Sequence, residues 1–184
     1  MGGTPLPSLE LEIRDAEARP VPAGAEGEIW VRGPNVMKGY WGKRAESAAA
    51  LDQGWYRSGD VGHQDAEGYL YVDGRCKDVI ISGGENIYPA ELENILNASA
   101  EFAEVAVVGR PHERWGEAVV AVVVPKAGQQ IASERVTALL EGRVARYKLP
   151  REVVVLQSLP RTALGKLQRE QLKAVLRQQA GAAV

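Results

Sequence analysis

Asp73-Gly74-Arg75-Cys76-Lys77-Asp78-Val79-Ile80-Ile81-Ser82-Gly83-Gly84-Glu85-Asn86-Ile87-Tyr88-Pro89 is the stretch around which the chain is organised. Asp73-Gly74 favours a tight turn, because glycine takes positive φ at no Cβ cost. Val79-Ile80-Ile81 is β-branched and reads as a strand. Gly83-Gly84 lets the backbone bend sharply or approach a ligand closely. Pro89 suits the first position of a helix over 90–97, where its missing N–H would be unpaired anyway. The charged cluster Arg75–Asp78 therefore divides two kinds of chain.

Upstream of it the pattern is short strands and turns. Leu9–Arg14 and Gly27–Gly33 alternate apolar and polar residues, the period of a half-buried strand. A polar helix is expected near Lys43–Leu51. Val61–His63 and Tyr69–Val72 flank Asp65-Ala66-Glu67-Gly68, a hairpin turn with glycine last. Downstream, strands alternate with helices. Pro89–Asn97 places Leu92, Ile95 and Leu96 on one face. Glu104–Gly109, Ala118–Pro125 and Glu152–Leu156 read as strands. Ser133 is expected to cap a helix running to Tyr147 with Val136, Leu139, Leu140 and Val144 on its apolar face. Gln168–Gln178 is a final helix carrying Leu172, Val175 and Leu176, and Gln178–Val184 is expected to fray. The fold class is α+β: a β-rich segment over 1–74, a tight hinge over 75–78, and a small α+β domain over 79–184 with a central sheet and flanking helices.

Composition narrows the function. The 184 residues are 45% hydrophobic and 25% charged, which is globular rather than disordered. The formal net charge of −2 speaks against a nucleic-acid partner or a basic membrane-binding surface. No run approaches the roughly 20 apolar residues that span a bilayer, and the N-terminus has no signal-peptide pattern. The single cysteine, Cys76, cannot form an internal disulfide and fits a reducing, cytoplasmic location. It lies between Arg75 and Lys77, cations that would depress a thiol pKa. His63, His112 and Cys76 have no metal-ligand spacing, so no metal site is read in this chain.

Several motifs agree in order and spacing. Tyr56-Arg57-Ser58-Gly59-Asp60 ends in a carboxylate able to accept two hydroxyl donors; an isolated Gly-Asp is otherwise an ordinary turn. Val108–Glu117 (Val-Gly-Arg-Pro-His-Glu-Arg-Trp-Gly-Glu) places Trp115 in a turn. Tyr147-Lys148-Leu149-Pro150-Arg151 offers a guanidinium suited to phosphate. Pro160-Arg161-Thr162-Ala163-Leu164-Gly165-Lys166-Leu167-Gln168-Arg169 is not a Walker P-loop, since Pro160 stands where the first glycine is needed and Leu167 where Ser or Thr is needed.

Taken together, these motifs and the opening stretch resemble the C-terminal portion of the AMP-forming acyl- and aryl-CoA ligases. They are the CoA-forming branch of the superfamily that holds luciferases and peptide-synthetase adenylation domains. The resemblance implies that residues 1–74 are the end of a large domain's barrel-like subdomain and 79–184 a small lid domain. It implies that Asp60 and Arg75 bind the nucleotide ribose, that Lys77 is the hinge, and that Lys166 is the catalytic lysine of adenylation. Gly83, Gly84, Trp115, Tyr147 and Arg151 would line the CoA path, although Leu149 stands where certain relatives carry an arginine. The implied cofactors are ATP/AMP, coenzyme A and Mg2+, the last with its ligands outside this chain. The implied partners are a small carboxylic acid, ATP and CoA, with no nucleic acid or membrane span. Unpaired strand edges in the first segment make a homodimer a further expectation. The family's phosphate loop and acid pocket are absent from these residues, so the chain is expected to be a C-terminal part, inactive alone, of a ligase that makes acyl-CoA, AMP and pyrophosphate. Two alternatives stand beside that reading: an adenylating ligase that loads a carrier protein, and a stand-alone binding module without catalysis.

Overall fold

The computed structural model describes residues 3–127 and 129–181. The chain divides into two compact units, Met1–Lys77 and Asp78–Val184.

The first unit is an antiparallel sheet. Its strands are β1 (Glu10–Arg14), β2 (Gly27–Arg32), β3 (Leu51–Asp52), β4 (Trp55–Gln64) and β5 (Leu70–Arg75), with one short helix, α1 (Arg44–Ala50), before β3. The order is β1-β2-β4-β3, and β5 also pairs with β4. Both faces carry buried residues: Ile13 and Ile29, cross-strand partners, lie on one face and Trp30 on the other, and Ile13, Ile29, Trp30, Trp55 and Val61 are at most 7% exposed. Arginines cover the indoles, with the Arg14 guanidinium 4.3 Å from Trp30 and 4.6 Å from Trp55.

Asp73-Gly74 is not the expected turn. Gly74 lies within β5 opposite Val61, at a register shift next to Gly62, and it is not among the glycines with positive φ. Two residues of β5 face one of β4 there, which is a bulge. The extra residue, Asp73, turns its carboxylate to His63 Nδ1 at 2.9 Å. Asp-Gly predicts a turn here because a bulge and a turn use the same residue types.

The second unit is a five-stranded sheet with helices on both faces. Strands β6 (Ile80–Ser82) and β7 (Glu85–Ile87) form a hairpin, and α2 (Pro89–Asn97) follows with Pro89 in its first turn. The long hairpin β8 (Phe102–His112) and β9 (Gly116–Pro125) leads through α3 (Ser133–Leu140) to β10 (Glu152–Val155) and α4 (Arg169–Gly181). β9 is central: β8 runs antiparallel on one side, and β10, parallel, and β6 pair on the other. Val119, Ala121 and Val123 pack with Ile80, Leu92, Leu96, Val136 and Leu140, whereas Val120, Val122 and Val124 pack with Leu159, Leu172 and Leu176. A strand covered on both faces reads as an unbroken apolar run, which is why Ala118–Val124 shows no alternation.

Two boundaries differ from expectation. The helix from Ser133 stops at Leu140, where Glu141 takes extended backbone (φ −57°, ψ 133°), and a separate 3-10 turn holds Arg146–Lys148. Ser133 is the first helical residue rather than the cap; Ala132 occupies the cap position without a side-chain bond. Val144 still packs on the core, so its apolar period was real while the helix was not continuous. Residues 178–181, expected to fray, complete α4, and 182–184 lie outside the described residues.

Candidate active site

The candidate residues are placed by three backbone devices. In the first unit the device is the β4–β5 ladder. Asp60 and Arg75 are direct partners across it, and Arg75 Nε donates to Asp60 Oδ1 at 2.8 Å. Ser58 Oγ donates to the Ile29 carbonyl at 2.7 Å and accepts the Asp60 N–H at 3.0 Å. Glu28 accepts from Arg57 Nη2 at 2.9 Å and from the Gly59 N–H at 3.3 Å. These bonds fix the strand where it carries Asp60. A carboxylate with one oxygen on a guanidinium keeps lone pairs for further donors. Tyr56 adds to the same patch. A hydrogen bond with Tyr40, then burial, then the nearby Tyr40 and Asp60 charges hold its phenol pKa above the ordinary range. The sequence places Glu28 in a strand without showing its partners, and nothing local to Tyr40 and Tyr56, distant in sequence, shows that they meet.

The second device is the β6–β7 hairpin turn. Gly83 and Gly84 both have positive φ, +64° and +87°, and Gly83 N donates to the Trp115 carbonyl at 2.8 Å. A Cβ on Gly83 would lie 3.1 Å from Trp115 Cε3, while one on Gly84 would meet nothing within 4 Å. The Arg151 guanidinium lies 4.3 Å from the Trp115 ring and that of Arg114 4.7 Å. Gly83, Gly84, Trp115 and Arg151 are thus brought together, and Arg114 joins them. The patch offers a side-chain-free backbone ridge, an aromatic face and two cations, a donor set that fits a thin chain ending in phosphate. Tyr147 lies in the 3-10 turn Arg146–Lys148 and is 45% exposed.

The third device is the loop 161–167. Arg161 and Leu167 form an isolated bridge. Inside it Thr162 N donates to the Lys166 carbonyl at 2.8 Å, Gly165 N to the Thr162 carbonyl at 2.8 Å, and Lys166 N to Thr162 Oγ1 at 3.1 Å. Gly165 takes φ +80°, which closes the turn just before the lysine. Lys166 is exposed, and among the described residues no carboxylate pairs with it. A rigid loop thus presents a free ammonium.

Lys77 lies in the 3-10 turn Cys76–Asp78, where the two units divide. Next to it the Cys76 thiol pKa is raised, first by burial and then by the Glu28 charge; the depression expected from Arg75 and Lys77 does not occur. No group of three or more His, Cys, Asp or Glu side chains could hold a metal among the described residues, and no described helix is long and apolar enough to cross a membrane. A cleft of about 210 Å³ lined by Gly109, Glu117, Lys173 and Arg177 contains none of the candidate residues.

A β-sheet that ends in a paired Asp and Arg, followed by a small α+β unit with a glycine turn and a lysine loop, is the architecture of the C-terminal region of adenylate-forming enzymes. The sequence profile of the AMP-binding enzyme C-terminal domain matches residues 91–166, and that of the AMP-binding enzyme matches residues 1–41. The chain is 59% identical over 174 residues to the indoleacetate–CoA ligase of Aromatoleum aromaticum, covering 95% of this chain and 34% of that protein. It is 48% identical over 169 residues to a feruloyl-CoA synthase of Amycolatopsis sp, covering 91% and 34%. The structure superposes on o-succinylbenzoate CoA synthetase from Bacillus subtilis, solved with its acyl-adenylate intermediate, with a TM-score of 0.86, 41% identity, and 92% and 34% of the two chains covered. The amide bond synthetase McbA from Marinactinospora thermotolerans gives a TM-score of 0.84 at 38% identity, with 94% and 35% covered. The chain belongs to the AMP-binding enzyme family, in its C-terminal portion. It spans about a third of the length of the curated relatives it matches.

Proposed function

We propose that the chain is the C-terminal part of an ATP-dependent carboxylic acid–CoA ligase. In the first half-reaction an acid oxygen attacks the α-phosphate of ATP, giving an acyl-adenylate and releasing pyrophosphate. In the second, the CoA thiolate attacks the acyl carbonyl and AMP leaves. The observation that carries this reading is the loop 161–167, which holds Lys166 rigidly at the backbone while leaving its ammonium unpaired. Such a cation can meet negative charge as it builds on the carboxylate and α-phosphate, and then withdraw.

Other residues take roles in the same scheme. Asp60 accepts the ribose hydroxyls, and Arg75, paired with Asp60, also reaches the ribose. Lys77 is the hinge, with residues 1–74 belonging to the large domain and 79–184 to the lid. Gly83 and Gly84 leave room for pantetheine, while Trp115, Tyr147 and Arg151 line its path. Mg2+ accompanies ATP, with ligands outside this chain. The acid is an aryl, indolyl or fatty carboxylate, by likeness to the relatives' substrates. The enzyme works in the cytoplasm and pairs as a homodimer through unpaired strand edges of the first unit. A second reading, transfer to a carrier protein's pantetheine, draws on one relative: the fatty acid–[acyl-carrier-protein] ligase ScoC of Streptomyces coeruleorubidus is 41% identical over 171 residues.

The test is product analysis on the full product of the gene that encodes this chain, with ATP, Mg2+, CoA and a panel of aryl and fatty acids. Acyl-CoA and AMP in equal amounts are expected. AMP with acyl transfer only to a carrier protein would move the second reading ahead, and no acid-dependent AMP would reject both.

A further inference from the structure

Lys166 is framed by two arginines of its own motif, and both reach the β8 side of the second unit. Arg161, at the start of the loop, pairs with Glu104 of β8 and donates from Nη1 to the Gly165 carbonyl at 2.7 Å. Arg169, three residues after Lys166, opens α4. Its Nη1 donates to Glu93 Oε1 at 2.8 Å and its Nη2 to Glu93 Oε2 at 3.0 Å, the bidentate fork typical of Arg–carboxylate pairs. Nη1 also donates to the Val107 carbonyl at 2.8 Å, and Nε lies 3.3 Å from Asp78 Oδ2. Glu93 in turn accepts the Val107 N–H at 2.8 Å. The Glu93–Arg169 pair therefore satisfies both backbone groups of Val107, as a neighbouring strand would.

The site is largely closed to water. The side chains of Arg169 and Asp78 are 20% exposed and that of Glu93 14%. Burial works against the Arg169 charge, but hydrogen bonding to Glu93 and the charges of Glu93 and Asp78 outweigh it and raise its pKa. One guanidinium thus ties together α2, β8, α4 and Asp78, the first residue of the second unit.

We propose that Arg169 is a positioning residue for Lys166, and that with Arg161 it sets the loop 161–167 against β8 and couples it to Asp78. The catalytic role of Lys166 rests on the function proposed above; the staple itself does not. A lysine cannot replace Arg169, because an ammonium cannot serve Glu93 bidentately, Val107 and Asp78 at once. Misplacing a charged group by about 1 Å costs roughly 100-fold in rate, so the loss should appear as turnover rather than binding.

Two measurements test this. The first is amide hydrogen exchange on the 184-residue chain with Arg169→Lys and, as the milder change, Glu93→Gln. The Gly165 and Lys166 amides should exchange about 10-fold faster, with Val119–Val123 of β9 unchanged. Wild-type exchange in the loop of either folded variant overturns the proposal. The second is steady-state adenylation by the full gene product. Arg169→Lys should lower kcat about 10- to 100-fold and leave KM for ATP and acid within about twofold; a rise in KM at constant kcat overturns the positioning role. If the wild-type makes no adenylate, the proposed function fails, and loop exchange still decides the staple.

Discussion

At the scale of single residues, Asp60 is held ready rather than free. Its ladder partner Arg75 occupies one oxygen at 2.8 Å, and the Ser58 hydroxyl anchors its backbone N–H. Asp60→Ala removes a charged acceptor from the proposed ribose contacts. Hydrogen bonds to charged groups contribute about 1.5–3 kcal/mol each, so KM for ATP in the full gene product should rise roughly 10- to 100-fold. An unchanged KM would remove Asp60 from the nucleotide site. The motif showed in the sequence because Ser58, Gly59 and Asp60 are contiguous. Glu28 and Tyr40 were illegible because their partners come from neighbouring strands, and pairing across a sheet leaves no mark in local order. Cys76 illustrates the same limit: sequence neighbours suggested a depressed thiol pKa, while burial and the distant Glu28 raise it.

At the scale of elements, the β6–β7 turn and the sheet edges set the behaviour. Gly83→Ala must place a Cβ at φ +64° and 3.1 Å from Trp115. Left-handed backbone costs an alanine about 1–2 kcal/mol, and Trp115 must also shift. Urea unfolding should show that loss with a changed tryptophan emission. Gly84→Ala, with nothing within 4 Å, should cost stability through φ alone and leave the emission as it is. Equal emission changes in both would contradict this account of the turn.

A second element-scale effect depends on pH. Glu101, just before β8, pairs with Arg135 of α3. The Arg135 hydrogen bond, opposed by burial and assisted by charge and Ser99, lowers its pKa from 4.5. A carboxylate with a lowered folded-state pKa contributes stability above its unfolded pKa and loses it as pH falls through the folded one. Glu101→Gln should therefore lower Tm at neutral pH, and the gap to wild-type should close as pH drops below about 4. A gap that persists in acid would mean that packing, not charge, is what Glu101 supplies. The long helix read over 133–147 failed for an element-scale reason. Val136, Leu140 and Val144 keep helical spacing and all reach the core, yet Glu141 turns the backbone away, and periodicity cannot distinguish a helix from a helix plus a turn.

At the scale of the whole molecule, each unit has a core of its own, and the candidate site residues are divided between them. Asp60 and Arg75 belong to the first unit, whereas the Gly83–Trp115–Arg151 patch and the Lys166 loop belong to the second. The α+β class was legible because two-residue alternation before Arg75 gives way to β-branched runs separated by helical spacing. Which helices cover each face of β9 was not, since an apolar run signals two covered faces without naming the elements that cover them. The central claim is that Lys166 serves one half-reaction only. The most direct test is Lys166→Ala in the full gene product, with adenylate formation and thioester formation from pre-made acyl-adenylate measured separately. Removing one well-placed electrostatic group costs about 100- to 1,000-fold, so adenylation should fall by that factor while thioester formation stays near wild-type. Comparable losses in both half-reactions would contradict the account.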